Sequence, residues 1–294
     1  MPGGPLRLAR GDARLTVADP AFAAALVGVV PRLRQGHRFA AAAFTAAAIF
    51  AVIVGGLWWR GAALTAVLAA ALPPAWEQAI GDRLVAQLPF RRCRSEAGDA
   101  ALRKLAARLI QGLEPPLALA VGVYDVAMVN AFAMPGGHVL LLRGLLRQAD
   151  GPDEIAGVMA HEIGHVMRRD PIRGLVTHIG VGVAAQVAIG GGSGGSLAAQ
   201  FATLSYSREV EAAADREAVT LLRRSGIGTR GFAAFFDRLA MRSPSLLPQF
   251  LSSHPAPAAR EAALAAGTPT PPSAPVLSFG EWQALRDICT ETTK

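Results

Sequence analysis

VMAHEIGHVMR, residues 158–168, is the stretch of the sequence that decides the fold prediction. It places His161 and His165 four residues apart, with Glu162 between them. Residues i and i+4 of an α-helix project from one face about one turn apart, so both imidazoles can reach one ion. This spacing on a helix is typical of zinc hydrolases, in which the glutamate acts as general base. The alternative is an ordinary amphipathic helix with hydrogen-bonded histidines.

A zinc site also needs a third protein ligand and an open position for water. The segment SREVEAAAD, residues 207–215, offers Glu211 and Asp215 at i and i+4. The first could bind the metal, and the second could orient a ligand histidine. Taken alone, such an acidic segment is more often a solvated helix face. Its position about 45 residues after the histidine motif favours Glu211 as the third ligand.

HEIGH and SREVEAAAD together resemble the motifs of the membrane-associated zinc endopeptidases related to the HtpX heat-shock protease and the CAAX prenyl protease. Residues 130–138, NAFAMPGGH, and residues 253–255, SHP, extend the likeness, which spans about residues 93–289. It is closest to bacterial members with one anchor and a Trp-x-x-Leu-x-x-x-Cys-like tail. The resemblance implies an α+β fold that is mostly α: a gluzincin-like domain with a small β-sheet beside the active-site helix, preceded by a transmembrane helix.

The resemblance also implies roles for residues outside the two motifs. His254 is expected to stabilise the tetrahedral oxyanion, and Arg260 to support the site or brace the Asp215 region. Without the resemblance, the Ser-His-Pro segment would fit a structural turn equally well. Three residues are expected to lie near the substrate cleft, where an edge strand can bind an extended peptide backbone: Asn130, Ala131 and Phe132.

The composition indicates membrane contact. Of the 294 residues, 52% are hydrophobic and only 17% charged. The formal net charge of +7 and the pI of about 10.6 could indicate a nucleic-acid partner. However, the arginines are scattered or flank apolar runs, and no nucleic-acid-binding motif accompanies them. We therefore predict no nucleic-acid partner.

An uncharged run over residues 39–59 would extend about 31 Å as a helix, which matches the hydrocarbon thickness of a bilayer. A basic cluster precedes it, and Trp58, Trp59 and Arg60 close it like an interfacial belt. A second apolar run, residues 61–72, is too short to cross alone. One crossing would put the catalytic domain outside the cytoplasm, whereas two crossings would return it to the cytoplasm. The prediction is a bacterial inner-membrane protein with the domain outside, and the number of crossings stays open.

The two cysteines, Cys93 and Cys289, lack metal-ligand spacing. They could be two buried thiols, or a disulfide that staples the ends of the domain in an oxidising compartment. The resemblance favours the disulfide.

The predicted organisation is a basic N-terminal segment (residues 1–38), an anchor (39–72), a linker (73–92) and a zinc peptidase domain (93–294). Within the domain, an amphipathic helix is expected over residues 95–111, and two strands within 117–134 that are broken near Asp125. A turn at 135–137 leads to a third strand over 138–142. His138 there is expected to be structural rather than a ligand. A capping box at Ser278 predicts a last helix through Cys289.

The leading functional hypothesis is a membrane-anchored endopeptidase with one Zn²⁺ per chain, which cleaves misfolded or unassembled envelope proteins. Its expected partners are protein or peptide substrates and membrane lipid, and its oligomeric state is open. A second hypothesis is a chaperone or assembly factor in which zinc is structural. A third, prenyl-peptide processing, would need a chamber of several long membrane spans, which the hydropathy does not predict.

Overall fold

The computed structural model describes residues 6–10, 13–26, 71–178, 180, 205–242, 254 and 275–290. The chain divides into two compact units, Met1–Ala62 and Ala63–Lys294. In the first, strands β1 (Leu6–Arg10) and β2 (Ala13–Val17) form an antiparallel hairpin. The predicted membrane run over residues 39–59 and the prediction for Arg260 lie outside the described residues. No helix in the described segments is both long and apolar enough to cross a membrane.

A mixed four-stranded sheet organises the described part of the second unit. Its strands are β3 (Arg92–Cys93), β4 (Ala120–Tyr124), β5 (Ala131–Met134) and β6 (His138–Leu142), in the order β3-β4-β6-β5. β4 and β6 are parallel, and the other pairs are antiparallel. The prediction of two strands broken near Asp125 and a third from His138 is confirmed. β5 lies at one edge of this sheet.

Residues 139–142 of the central strand β6 are all apolar and buried because both faces of the sheet are covered. Alternate residues of a strand point to opposite faces. Val139 and Leu141 of β6 belong to one apolar cluster, whereas Leu140 and Leu142 belong to a second cluster. A sheet that is buried on both faces reads as a continuous hydrophobic run rather than an alternating one.

Helices surround this sheet, and together with the small sheet they confirm an α+β fold that is mostly α. The helices are α1 (Pro74–Ala86), α2 (Glu96–Ile110), α3 (Arg143–Gln148), α4 (Pro152–Met167), α5 (Asp170–His178), α6 (Arg208–Arg224), α7 (Arg230–Arg242) and α8 (Phe279–Arg286). Serine side chains cap several of them: Ser95 accepts from Gly98 N, and Ser278 forms the predicted capping box with Glu281.

Residues 73–92, which the sequence analysis treats as a linker, contain helix α1. Pro74 occupies its first turn, where a proline costs no hydrogen bond. Ile80 and Leu84 are buried in the second apolar cluster. Gly81 lies against the β5–β6 turn so closely that a Cβ would stand 1.9 Å from the Pro135 carbonyl oxygen. The Pro-Pro pair therefore starts a packed helix.

Helix α4 carries the histidine motif through the middle of the domain. Its residues from Glu154 to Val166 are all buried, because α4 packs against β5 on one side and against α6 and α7 on others. A helix that is enclosed on every side belongs to the core. The site that it carries is therefore held on a rigid element.

The disulfide that the resemblance implied is present. Cys93 Sγ on β3 is bonded to Cys289 Sγ, just after α8. The bond joins residues separated by 196 positions in sequence. It fastens the C-terminal helix, which packs on α2, to the edge of the sheet opposite β5.

Candidate active site

Four buried side chains converge beside α4. They are His161 and His165 of α4, Glu211 of α6, and His254, and their potential ligand atoms all lie within 4.8 Å of one another. The Nε2 atoms of the two α4 histidines are 3.2 Å apart, and each lies 3.4 Å from a carboxylate oxygen of Glu211.

These separations fit a bound zinc ion. Atoms that bind zinc at about 2.1 Å in a tetrahedral shell lie about 3.4 Å from one another. The donor set, imidazole nitrogen and carboxylate oxygen, is also the set that zinc prefers. The three side chains that the sequence nominated as ligands can therefore reach one ion.

A carboxylate behind each α4 histidine fixes the direction of its ring. His161 Nδ1 lies 2.9 Å from Asp215 Oδ1, and His165 Nδ1 lies 3.0 Å from Asp170 Oδ2. When Nδ1 donates to a carboxylate, the lone pair of Nε2 is turned towards the metal. Asp215 has the position that its predicted orienting role requires. Asp170 was not among the site residues predicted from the sequence.

Glu162 is buried next to the cluster, and neither of its carboxylate oxygens has a hydrogen-bond partner among the described residues. Its Oε1 atom lies 3.5 Å from His254 Nε2. A buried carboxylate without donors is costly, so it marks a position where function outweighs stability. This is a suitable environment for a general base that must accept a proton from water.

His254 lies against the ligand cluster, and its role at the oxyanion stays a prediction. Its Nδ1 atom lies 3.3 Å from both Glu211 Oε1 and His161 Nε2. Its Nε2 atom lies 3.3 Å from the Ala131 carbonyl oxygen. In this structure His254 therefore stands within reach of the same ion as the three predicted ligands.

The charges of the cluster are strongly coupled. Burial alone would lower the pKa of His161, but hydrogen bonds to Asp215 and Glu211 outweigh it and raise that pKa to about 9. Burial also lowers the pKa of His165, but hydrogen bonds to Asp170 and Glu211 outweigh burial and raise that pKa. Burial would raise the pKa of Glu211, but its hydrogen bonds with the histidines hold it far below its usual range.

The family comparison agrees with this geometry. The model of peptidase family M48 matches residues 96–267, which is more than half of the chain. The chain belongs to peptidase family M48. Membership confirms the predicted metallopeptidase and the resemblance on which that prediction rests. M48 peptidases depend on a metal, and the converging histidines and glutamate could bind one.

Several M48 relatives are similar over the same part of the chain. The beta-barrel assembly-enhancing protease of Yersinia pestis is 34% identical over 149 residues, 45% of this chain and 31% of that protein. Metalloprotease YcaL of Escherichia coli (strain K12) is 33% identical over 143 residues, 45% of this chain and 56% of that protein. The mitochondrial metalloendopeptidase OMA1 of Arabidopsis thaliana is 28% identical, over 49% of this chain and 30% of that protein. The matches span between about a third and three-fifths of these relatives.

Tyr206 completes one wall of the M48 site, and sequence reasoning missed it. Its ring stacks on His165, with the centroids 4.6 Å apart and the planes 22° apart. Burial raises the pKa of Tyr206 well above its usual value, and the negative charge of the nearby Glu162 raises it further. The only sequence signal was its place just before Ser207, the N-cap of α6.

Edge strand β5 forms the other wall. The carbonyl of Asn130 accepts from Leu142 N at 3.1 Å, so Asn130 pairs with β6. Since neighbouring residues of a strand face opposite ways, Ala131 directs its carbonyl away from β6, towards His254. Phe132 pairs with Leu140 of β6 and is buried in the second apolar cluster. The roles of these three residues towards substrate stay predictions. His138 lies outside the cluster, with Nε2 2.8 Å from Asp82 Oδ1.

Proposed function

We propose that the protein is a membrane-anchored, zinc-dependent endopeptidase that hydrolyses misfolded or unassembled proteins of the bacterial envelope. The observation that carries the proposal is the convergence of His161, His165 and Glu211 at tetrahedral separations. The Glu162 carboxylate lies beside them and accepts no hydrogen bond from the described residues. Arg260 and the membrane anchor rest on the sequence alone.

The mechanism follows from what each side chain can do. His161, His165 and Glu211 would hold the ion. When bound, the ion would act as a Lewis acid and lower the pKa of a bound water towards neutrality. Glu162 accepts the proton of the attacking water and delivers it to the leaving amine. His254, turned towards the substrate carbonyl, would donate a hydrogen bond to the developing oxyanion.

An edge strand beside the metal supports unfolded polypeptide as the substrate class. β5 lies at the edge of the sheet, so an extended peptide could pair with its backbone, as in strand addition. Such pairing recognises the peptide backbone and not particular side chains. A folded protein has no free extended segment to pair in this way, so unfolded polypeptide is the expected substrate. The relative named beta-barrel assembly-enhancing protease supports envelope proteins as the pool of substrates.

A location outside the cytoplasm is part of the proposal. The basic cluster before residues 39–59 favours a cytoplasmic N-terminus, and a disulfide persists in oxidising compartments. The test is a reporter enzyme that works only outside the cytoplasm, fused after Lys294. We expect this fusion to be active. An inactive fusion would overturn this part of the proposal.

The decisive test is the Glu162→Gln variant of the full-length protein in detergent. We expect its zinc content to equal that of wild type while cleavage of a reduced, alkylated and therefore unfolded protein falls at least about 1,000-fold, since acid–base catalysis contributes up to about 10⁴. Glu209→Gln is the matched control, because Glu209 is exposed on α6. Cleavage retained in Glu162→Gln would refute the hydrolase mechanism.

The name of the same relative also favours a second candidate, an assembly factor in which zinc is structural. The Glu162→Gln variant separates the two in cells. Full rescue of a deletion strain by that variant would favour the assembly factor, whereas loss of rescue would favour the peptidase.

A further inference from the structure

The junction between α4 and α5 contains an unusual residue. Arg169 has φ of 57°, and it is the one non-glycine residue with positive φ in the described segments. Its amide donates to Val166 O and its carbonyl accepts from Arg173 N, so it ends α4 and opens α5. Glycine is the usual residue at this position, because a side chain is strained in the left-handed region. An arginine here needs a compensating interaction.

The guanidinium of Arg169 supplies that interaction. Its Nε donates to Glu77 Oε2 at 2.8 Å, and its Nη2 donates to the Leu72 carbonyl oxygen at 2.9 Å. The side chains of Arg169 and Glu77 are 29% and 13% exposed, so solvent screens the pair only partly. Both partners lie at the beginning of α1, and the left-handed turn is thereby fastened to that helix.

The residue that follows this turn touches the metal site. Asp170 is buried, and its Oδ2 accepts from Nδ1 of His165. The direction of the Asp170 carboxylate depends on the backbone at the junction, and the direction of the His165 ring depends on that carboxylate. A continuous path of contacts therefore leads from Glu77 through Arg169 and Asp170 to a candidate ligand.

We propose that Arg169 is a positioning residue of the metal centre, which aligns Asp170 and the His165 ring by binding Glu77 and the Leu72 carbonyl of the α1 region. The inference rests on the proposed zinc function.

Three variants of the full-length protein test the path. Arg169→Gly relieves the backbone strain but removes the guanidinium. Glu77→Gln removes only the negative charge of the partner. Arg169→Lys keeps the positive charge but cannot donate to Glu77 and to the Leu72 carbonyl through two separate nitrogens. We expect Arg169→Gly to weaken zinc binding about 10- to 100-fold, as loss of an outer partner does. The kcat on an unfolded protein should fall with it while KM stays within about twofold. Glu77→Gln and Arg169→Lys should weaken zinc binding in the same direction by less.

Asp82→Asn is the matched control, because Asp82 lies on the same helix and pairs with His138 instead. Zinc affinity, measured by competition with a chromophoric chelator, should stay within about twofold of wild type in this control. Equal affinity in Arg169→Gly, Glu77→Gln and Asp82→Asn would overturn the proposal. Wild-type protein that binds no zinc would instead refute the proposed function, so the two failures are distinguishable.

A double variant shows whether the effect passes through Asp170. The Asp170→Asn change should itself weaken zinc binding, and adding Arg169→Gly should weaken it no further. Residues that act through one another give non-additive losses, whereas independent losses multiply. Full additivity of the two changes would contradict a path from Arg169 through Asp170 to the ion.

Discussion

Gly157 of α4 lies directly against Phe232 of α7: a Cβ on residue 157 would stand 2.4 Å from the Phe232 Cβ. The Phe232 ring in turn lies beside the His161 ring, with the centroids 5.9 Å apart. The glycine therefore sets how closely the aromatic helix approaches the active-site helix. Any side chain at this position must push apart two packed elements.

We predict that Gly157→Ala lowers the free energy of unfolding by about 1–3 kcal/mol, the usual cost of overpacking a core. For a domain of this size, that loss corresponds to roughly 2–12 °C in the melting temperature. Thermal unfolding of the purified protein measures it. Gly280→Ala in α8 is the control, because nothing lies within 4 Å of a Cβ there and alanine favours a helix. Equal melting temperatures for the two variants would contradict the packing argument.

The hydrogen bond between His161 and Asp215 gives a second prediction. Asp215→Ala should weaken zinc binding about 10- to 100-fold, because the His161 ring loses the carboxylate that orients it. Chelator competition measures the affinity, and Glu209→Ala on the exposed side of α6 serves as control. Unchanged affinity in Asp215→Ala would show that the ring is held by packing alone.

Local patterns were enough to predict much of this domain. The start of β6 followed from the turn signal at residues 135–137, and the start of α8 followed from the capping box at Ser278, since both signals depend on neighbouring residues. The motif spacing also identified His161, His165 and Glu211, because helical periodicity determines which side chains share a face.

What the sequence did not reveal depends on the tertiary structure, which local patterns do not predict. Asp170 was missed because only the turn at Arg169 directs its carboxylate back to His165. Residues 73–92 were predicted to be a linker, whereas the structure has helix α1 there, packed on the β5–β6 turn.

The raised pKa of His161 predicts how the metal-free protein responds to pH. A group whose pKa is about 9 when folded and near 6.5 when unfolded stabilises the fold below pH 6.5, and that contribution is lost as the pH rises through 9. The melting temperature of chelator-treated protein should therefore fall between pH 6.5 and pH 9.5. The zinc-loaded protein should lack this fall, since the metal replaces the proton. A metal-free melting temperature that rises over this window would contradict the assignment.

The Cys93–Cys289 bond gives the last prediction. It closes a loop of 196 positions, so it removes much of the conformational freedom of the unfolded chain. The double variant Cys93→Ser, Cys289→Ser should lose about 2–5 kcal/mol of stability, which is typical for removal of a native disulfide. Thermal unfolding of wild type and double variant, each with and without a dithiol reductant, measures the loss.

Reductant should lower the melting temperature of wild type to that of the double variant and leave the double variant unchanged. A Trp282→Phe variant assigns the part of the tryptophan fluorescence that comes from Trp282, which is buried on α8. That part should change in the reduced wild type if the C-terminal helix loosens from α2. A reductant that destabilised the serine variant equally would place the effect elsewhere, because these are the protein's only two cysteines.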